Sequence, residues 1–147
     1  WIGPAAALPA FTTAPKVRVA PASTPQSHLT AVTVGRHPTF DRVVFRWRGS
    51  TPGYNVRYVT RLVDDGSGLP YPIQGSRFLS IVFFPHANGA TPGVPATLTP
   101  RFPTLRQVKV RGTFEAVMTA GAGLSKRAAF RVFTLTNPRR IVIDVAR

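Results

Sequence analysis

The sequence contains no cysteine and only five acidic residues among 147. The absence of cysteine excludes a disulfide scaffold, a thiol nucleophile and a cysteine-ligated metal site. No run approaches the roughly 20 apolar residues of a membrane-spanning helix, and no cleavable signal peptide is present in the chain as written. Because the chain begins at Trp1 without an initiator methionine, we expect that it is a processed form and that an export signal once preceded it.

The shortage of acids leaves a large excess of positive charge. Nineteen Lys and Arg give a formal net charge of +14 and a pI of about 11.9, and all but three of these cations are arginine. Such a charge predicts attraction to polyanions, namely nucleic acid, anionic lipid or anionic wall polymer. It exceeds what solubility requires of a small domain, although a GC-rich genome also favours arginine over lysine. Both explanations of the arginine excess stay open.

Alternation of apolar and polar side chains predicts short β-strands. Fifteen prolines and twelve glycines disfavour long helices. Within 42–48, Val43, Phe45 and Trp47 face one way while the arginines between them face the other. Segments of this kind lie at 29–35, 42–48, 55–63, 78–84, 106–112, 115–120, 130–136 and 140–146. Seven or eight such strands separated by turns predict an all-β sandwich or barrel, with one domain over 29–147.

Residues 1–28 differ from the rest in composition. They are rich in Pro, Ala and Thr and have neither helical nor strand periodicity, so we predict an extended linker or arm, of the kind that tethers exported domains to an anchor. Plain disorder is favoured over pairing of the short piece KVRVA (16–20) at a sheet edge.

The titratable residues form none of the patterns that catalysis or metal binding requires. His28, His37 and His86 share no HxH or HExxH spacing, and no GxSxG or phosphate-binding glycine loop is present. A glycosidase needs two facing acids, one with a raised pKa, whereas acids among so many arginines are expected to stay ionised. The five acids are Asp41, Asp64, Asp65, Glu115 and Asp144. We therefore predict that the protein is not an enzyme and has no metal and no cofactor.

The order of features along the chain resembles the AMIN-like domain. Its C-terminal half has a strand with Gly112 and Glu115, a GxGL segment at 121–124, FRVFTL at 130–135 and a closing NPRRIVIDV. Its N-terminal half agrees, with LTAVTVGRHPTFDRVVFRWRG, PGYNVRYV and DDGSGLPYPIQG in the same order. The resemblance runs from about Leu29 to the end of the chain.

This resemblance implies a small β-sandwich of two short sheets and a non-catalytic role in the cell envelope. AMIN-like proteins are exported, often lipid-anchored proteins of high-GC Gram-positive bacteria, and the related AMIN domains of cell-wall amidases and secretins are targeting modules that associate with peptidoglycan. We therefore expect an extracytoplasmic protein, anchored through a segment that is not in this chain.

Cations that alternate with apolar residues are the predicted ligand-binding residues. If their strands are neighbours, these cations form one sheet face. Such a face would bind anions, since guanidinium groups bind phosphate and carboxylate in bidentate fashion. They are Arg42, Arg46, Arg48, Arg57, Arg61, Lys109 and Arg111. An ordinary solvated sheet face is the alternative. Tyr54 and Tyr71 lie in Pro/Gly-rich segments and are possible aromatic contacts.

Three functions are compatible with these features. The first is a non-catalytic envelope module that binds anionic cell-wall polymer, either peptidoglycan or a teichoic-type polymer, through the arginine face. The second is a nucleic-acid-binding β domain, since small β domains bind single strands with basic grooves and stacking aromatics. The third is a protein-interaction module of an envelope complex, with edge strands or the 85–103 loop as its contact surface.

The closing strand contains an aspartate within an apolar run. Ile141, Ile143 and Val145 share one face of this strand, so Asp144 lies on the other face, outside the apolar interior. We predict that Asp144 is a structural acid that pairs with an arginine across the sheet, with Arg131 as one candidate.

Overall fold

The computed structural model describes residues 7–147, and these form β-strands and no helix. The strands are β1 Lys16–Arg18, β2 Ser27–Arg36, β3 Phe40–Arg48, β4 Gly53–Val59, β5 Arg77–Phe84, β6 Ala87–Ala90, β7 Thr97–Leu98, β8 Leu105–Phe114, β9 Val117–Leu124, β10 Phe130–Leu135 and β11 Arg139–Ala146. The first sheet has six strands in the order β1-β4-β5-β9-β8-β7, and the second has five in the order β10-β11-β3-β2-β6. In this part of the chain no helix is long and apolar enough to cross a membrane.

The predicted all-β sandwich is confirmed, with eleven strands instead of seven or eight. Each of the eight predicted segments contains a strand. The strands that were not predicted, β1, β6 and β7, have three, four and two residues, too few to show alternation. The predicted strand 115–120 begins later, because Glu115 and Ala116 form the β8–β9 turn with φ of 51° and 61°.

The apolar inner faces of the two sheets meet in one core. Phe45 and Trp47 of β3 contact Phe83 of β5 edge to face, with ring centroids 5.1 Å and 4.8 Å apart. The core faces predicted for β3 and β11 are confirmed. Each of their residues is at most 3% exposed, namely Val43, Phe45, Trp47, Ile141, Ile143 and Val145.

The N-terminal arm is paired with both sheets over residues 12–18. Thr12 and Phe130 exchange two backbone hydrogen bonds of 3.1 Å and 2.8 Å. Further along, β1 pairs with β4, and Lys16 lies opposite Val56. The Lys16 ammonium lies 3.6 Å from the centroid of the Phe130 ring, and burial lowers the pKa of Lys16 to about 8. This part of the arm is therefore attached to the sandwich and is not a free linker, whereas residues 1–6 of the predicted arm lie outside the described residues.

The connection between β4 and β5 crosses the outer face of the first sheet. Its buried residues Leu62 and Tyr71 lie over Gly121 of β9, where an added Cβ would come within 2.6 Å and 2.5 Å of their side chains. At Gly123 an added Cβ would overlap the backbone oxygen of Gln74. The two glycines of the GxGL segment therefore leave room for this connection to lie directly on the sheet.

We expect Gly123→Ala to destabilise the fold, because the added methyl group forces the β4–β5 connection away from β9. Overpacking of this kind costs about 1–3 kcal/mol, and the free energy of unfolding in urea measures it. Gly112→Ala is the matched control, since it lies in the neighbouring strand β8 and its added methyl group meets no atom within 4 Å. Equal free energies of unfolding for the two variants would contradict this account of the GxGL segment.

Candidate functional site

Asp144 is fully buried between two arginines of neighbouring strands. The sheet register places it opposite Arg131 of β10 and opposite Arg42 of β3. Arg42 donates through Nε and Nη2 over 2.7 Å and 3.0 Å, and Arg131 donates through Nε over 2.8 Å. The predicted pairing with Arg131 is confirmed, and Arg42 is a second partner. Arg42 had been predicted to bind ligand, but its guanidinium is held by this buried carboxylate.

Aromatic rings cover this ion pair on the outer face of the second sheet. The Arg131 guanidinium lies 4.3 Å from the ring centroid of Phe11 and 5.0 Å from that of Phe40. Phe133 lies 5.6 Å from the Arg42 guanidinium. The cover explains why an acid on an outer face is fully buried. Sequence reasoning missed this aromatic cover, because Phe11 belongs to a segment without any periodicity.

Asp41 is the second fully buried acid, and it ties the second sheet to the first. Its Oδ2 accepts the backbone N–H groups of Thr104 and Leu105 over 2.8 Å and 3.0 Å, where β8 begins. Its Oδ1 accepts a hydrogen bond of 3.2 Å from Nη2 of Arg147. The sequence carried no signal for this role, because all three partners are distant along the chain.

Asp64 fastens the β4–β5 connection to the outer face of the first sheet. Arg111 of β8 donates to both of its carboxylate oxygens over 2.7 Å and 2.8 Å, and these bonds hold the pKa of Asp64 below its usual value. The same guanidinium lies 4.3 Å from the ring centroid of Tyr71. Arg111 had been predicted to bind ligand, but its guanidinium is already paired with Asp64 within the fold.

The two tyrosines predicted as ligand contacts are both buried. Tyr54 lies in β4 and contributes to the core with 7% exposure, and Tyr71 belongs to the β4–β5 connection and is 9% exposed. Burial raises the pKa of Tyr71 to about 12. Both had been predicted as possible ligand contacts because they lie in Pro/Gly-rich segments. Tyr54 instead lies within a strand of the sandwich, and the segment around Tyr71 lies against β9.

The predicted cations do not form one continuous face. Arg46 and Arg48 lie on β3 in the second sheet, whereas Arg57 and Lys109 lie on β4 and β8 of the first. Strands β5 and β9 separate β4 from β8, and Arg61 lies beyond the end of β4. The condition for a single face, that these strands be neighbours, is not met.

Arg46 and Arg48 instead line a groove at one end of the second sheet. We call it the β3–β11 groove; its volume is about 360 Å³, and it is also lined by Thr30, Ala31, Trp47, Pro138 and Arg139. Arg140 lies directly opposite Arg46 in the sheet register, so two like charges face each other across neighbouring strands. The lining therefore contains three arginines and no acid. Arg140 lies beside the groove, and its guanidinium donates to the backbone oxygens of Pro138 and Thr136.

Sequence reasoning missed Arg139, which lines this groove, and Arg140, which lies beside it opposite Arg46. Both belong to the NPRR stretch, which was assigned to the closing strand alone. Pairing β11 with β3 would have placed Arg139 opposite Trp47 and so beside the predicted arginines. Trp47 also holds the one buried side-chain polar atom within the described chain that has no hydrogen-bond partner, its indole Nε1.

The fold and the groove together define a class of protein. Among residues 7–147 no three potential metal ligands lie together, and three of the five acids form ion pairs within the fold. A β-sandwich with a cationic surface groove is compatible with a binding module.

Comparison with known families agrees with that class. The sequence model of the AMIN-like domain matches residues 27–147, and the chain belongs to this family. AMIN-like domains are in general non-catalytic binding modules of envelope-associated proteins. No curated protein and no solved structure gives a significant match.

We expect Asp144→Asn to destabilise the fold strongly, because the change leaves Arg42 and Arg131 without a counter-charge under the aromatic cover. Removing one partner of a buried ion pair costs on the order of 3 kcal/mol, and urea unfolding measures the loss. Asp65→Asn removes the same charge from an exposed position and is the control. If the two variants lose equal stability, Asp144 does not have the structural role assigned to it.

Proposed function

We propose that this chain is an envelope module that binds anionic wall polymer, either peptidoglycan or a teichoic-type polymer, through the β3–β11 groove. The observation that carries the proposal is the opposed pair Arg46 and Arg140, at a groove whose lining contains three arginines and no acid. Like charges directly opposite each other destabilise a sheet, and a bound anion would relieve this repulsion. Export, and attachment through a segment outside this chain, are part of the proposal.

The ligand class follows from the energetics of exposed arginines. A single surface ion pair contributes only about 0.2–1 kcal/mol, so one anion on one arginine would bind weakly. A polymer that repeats carboxylates or phosphates engages several arginines at once, and each further contact is then intramolecular. Guanidinium groups also bind these oxyanions in bidentate fashion. A repetitive polyanion therefore suits the β3–β11 groove better than a small anion does.

The nucleic-acid alternative loses part of its support. Binding of single strands without sequence preference relies on aromatic side chains that stack on bases. Tyr54 and Tyr71, the two aromatics predicted as possible ligand contacts, are buried. The alternative of a protein-interaction module stays open, and no contact of the 85–103 segment favours it over polymer binding.

Co-sedimentation with purified, protein-free cell walls at physiological salt tests the proposal. We expect the double variant Arg46→Glu, Arg48→Glu to lose most of its binding, at least about tenfold, because each change replaces attraction with repulsion in the groove. Glu at position 46 faces Arg140 as an opposite charge, so we expect no loss of folding stability.

The control is Arg57→Glu, Arg61→Glu, which makes the same change of net charge at exposed positions away from the second sheet. We expect this variant to bind walls far better than the groove variant. Equal losses would show that net charge alone drives the attraction, and no binding by the unchanged protein would refute the proposal altogether. Melting temperatures of all three proteins verify that only folded material is compared.

A further inference from the structure

A second groove lies at one end of the first sheet, where β4 ends and β5 begins. The connection from β9 to β10 forms its remaining side, and its volume is about 390 Å³. Tyr58, Val59 and Phe78 contribute apolar surface, and Arg77 and Arg127 contribute positive charge. We call it the β4–β5 groove. It is separate from the β3–β11 groove, which lies in the other sheet.

Neither arginine of the β4–β5 groove has an acidic partner among residues 7–147. Arg127 lies over the Tyr58 ring with its guanidinium 4.8 Å from the ring centroid. Arg77 donates a hydrogen bond of 2.9 Å to the backbone oxygen of Ser76. Burial raises the pKa of Tyr58, while Arg127 and Arg77 act in the opposite direction, so both positive charges lie near its hydroxyl. No acid lines the groove.

Hydrogen bonds fix the shape of this groove. The Tyr58 hydroxyl donates to the backbone oxygen of Ala128, which joins β4 to the β9–β10 connection. Ser76, just before β5, donates through Oγ to the backbone oxygen of Ser125 over 2.8 Å and through its N–H to Leu124 over 2.8 Å. The wall that carries Arg127 is therefore held to both strands. A site formed before binding loses less conformational entropy when a ligand enters.

The size and lining of the groove define the chemistry of its ligand. Its volume lies at the lower end of the range for small-ligand pockets, about 300–1,000 Å³, which fits the end of a chain better than its middle. Two guanidinium groups without an acidic partner favour an oxyanion. The apolar walls favour an oxyanion joined to aliphatic carbon, whereas a phosphate surrounded by water would leave Val59 and Phe78 without contacts. A terminal carboxylate next to a small aliphatic side chain meets all three requirements.

We propose that the β4–β5 groove binds the free C-terminal carboxylate of a short peptide with small aliphatic side chains. Arg77 and Arg127 bind the carboxylate, and Tyr58, Val59 and Phe78 contact the aliphatic part. This site does not depend on polymer binding by the β3–β11 groove.

Titration of the ¹⁵N-labelled protein with N-acetyl-Ala-Ala, followed by NMR, tests this site. We expect saturable shifts that are centred on residues 58–60, 76–78 and 125–128. The same peptide with a C-terminal amide lacks the charge and is expected to bind at least about tenfold more weakly, as the loss of a charge-assisted hydrogen bond implies. Equal binding of the acid and the amide would overturn the proposal, and so would the absence of saturable shifts.

Inorganic phosphate distinguishes a carboxylate site from a general anion site. We expect phosphate to bind at least about tenfold more weakly than the peptide acid, because it makes no contact with the apolar walls. Phosphate binding as tight as that of the peptide, in the same residues, would overturn the assignment to a peptide terminus.

Substitution of the arginines locates the site. We expect Arg127→Gln and Arg77→Gln each to weaken binding of the peptide acid at least about fivefold, whereas Arg46→Gln in the other groove leaves it unchanged. The acid-to-amide ratio of affinities is the second readout, and it should fall towards one in the double variant Arg77→Gln, Arg127→Gln. An undiminished ratio in a variant whose NMR spectrum shows a native fold would contradict the proposal.

Discussion

The buried carboxylate of Asp144 holds three strands of the second sheet together. Arg131 of β10 and Arg42 of β3 reach it from both sides, so one acid bridges β10, β11 and β3. The charges in this ion pair must remain paired, because an unpaired charge buried beneath aromatic rings destabilises the fold. The N-terminal arm provides part of that cover through Phe11, which makes the arm a component of the sandwich.

The shortage of acids explains why the protein has unpaired arginines on its surface. Asp41, Asp64 and Asp144 are each used within the fold, between the sheets, under the β4–β5 connection and across the second sheet respectively. Four arginines are neutralised in this way, namely Arg42, Arg111, Arg131 and Arg147. The arginines of the two grooves have no such partners among the described residues. Local grouping of these unpaired cations, more than the total charge of +14, is the property that polymer binding would require.

The sequence predicted the features that depend on residues close to one another along the chain. Alternation placed all eight longer strands and the core faces of β3 and β11, and it identified Arg131 as a partner of Asp144 because both strands belong to one hairpin. The family resemblance identified the fold as a sandwich of two sheets, and the match over residues 27–147 agrees.

The sequence could not show what depends on pairing between distant segments. Alternation gives the face of a strand on which Arg46 or Lys109 lies, but it does not say which sheet the strand joins. Tyr71 lies in a proline- and glycine-rich stretch that resembles an exposed loop, yet Gly121 lets that stretch lie flat on β9. The opposed pair Arg46 and Arg140 depends on the pairing of β11 with β3, two strands far apart along the chain.

The central claim is that locally grouped arginines, and not net charge, contact the anionic polymer. Guanidinium-selective ¹H–¹⁵N NMR of the protein, titrated with soluble fragments of wall polymer, tests it most directly. The account predicts shifts at Nε of Arg46, Arg48, Arg139 and Arg140, with Arg57 and Arg61 unchanged at physiological salt. Shifts spread over the exposed arginines of both sheets, in proportion to their exposure, would contradict it.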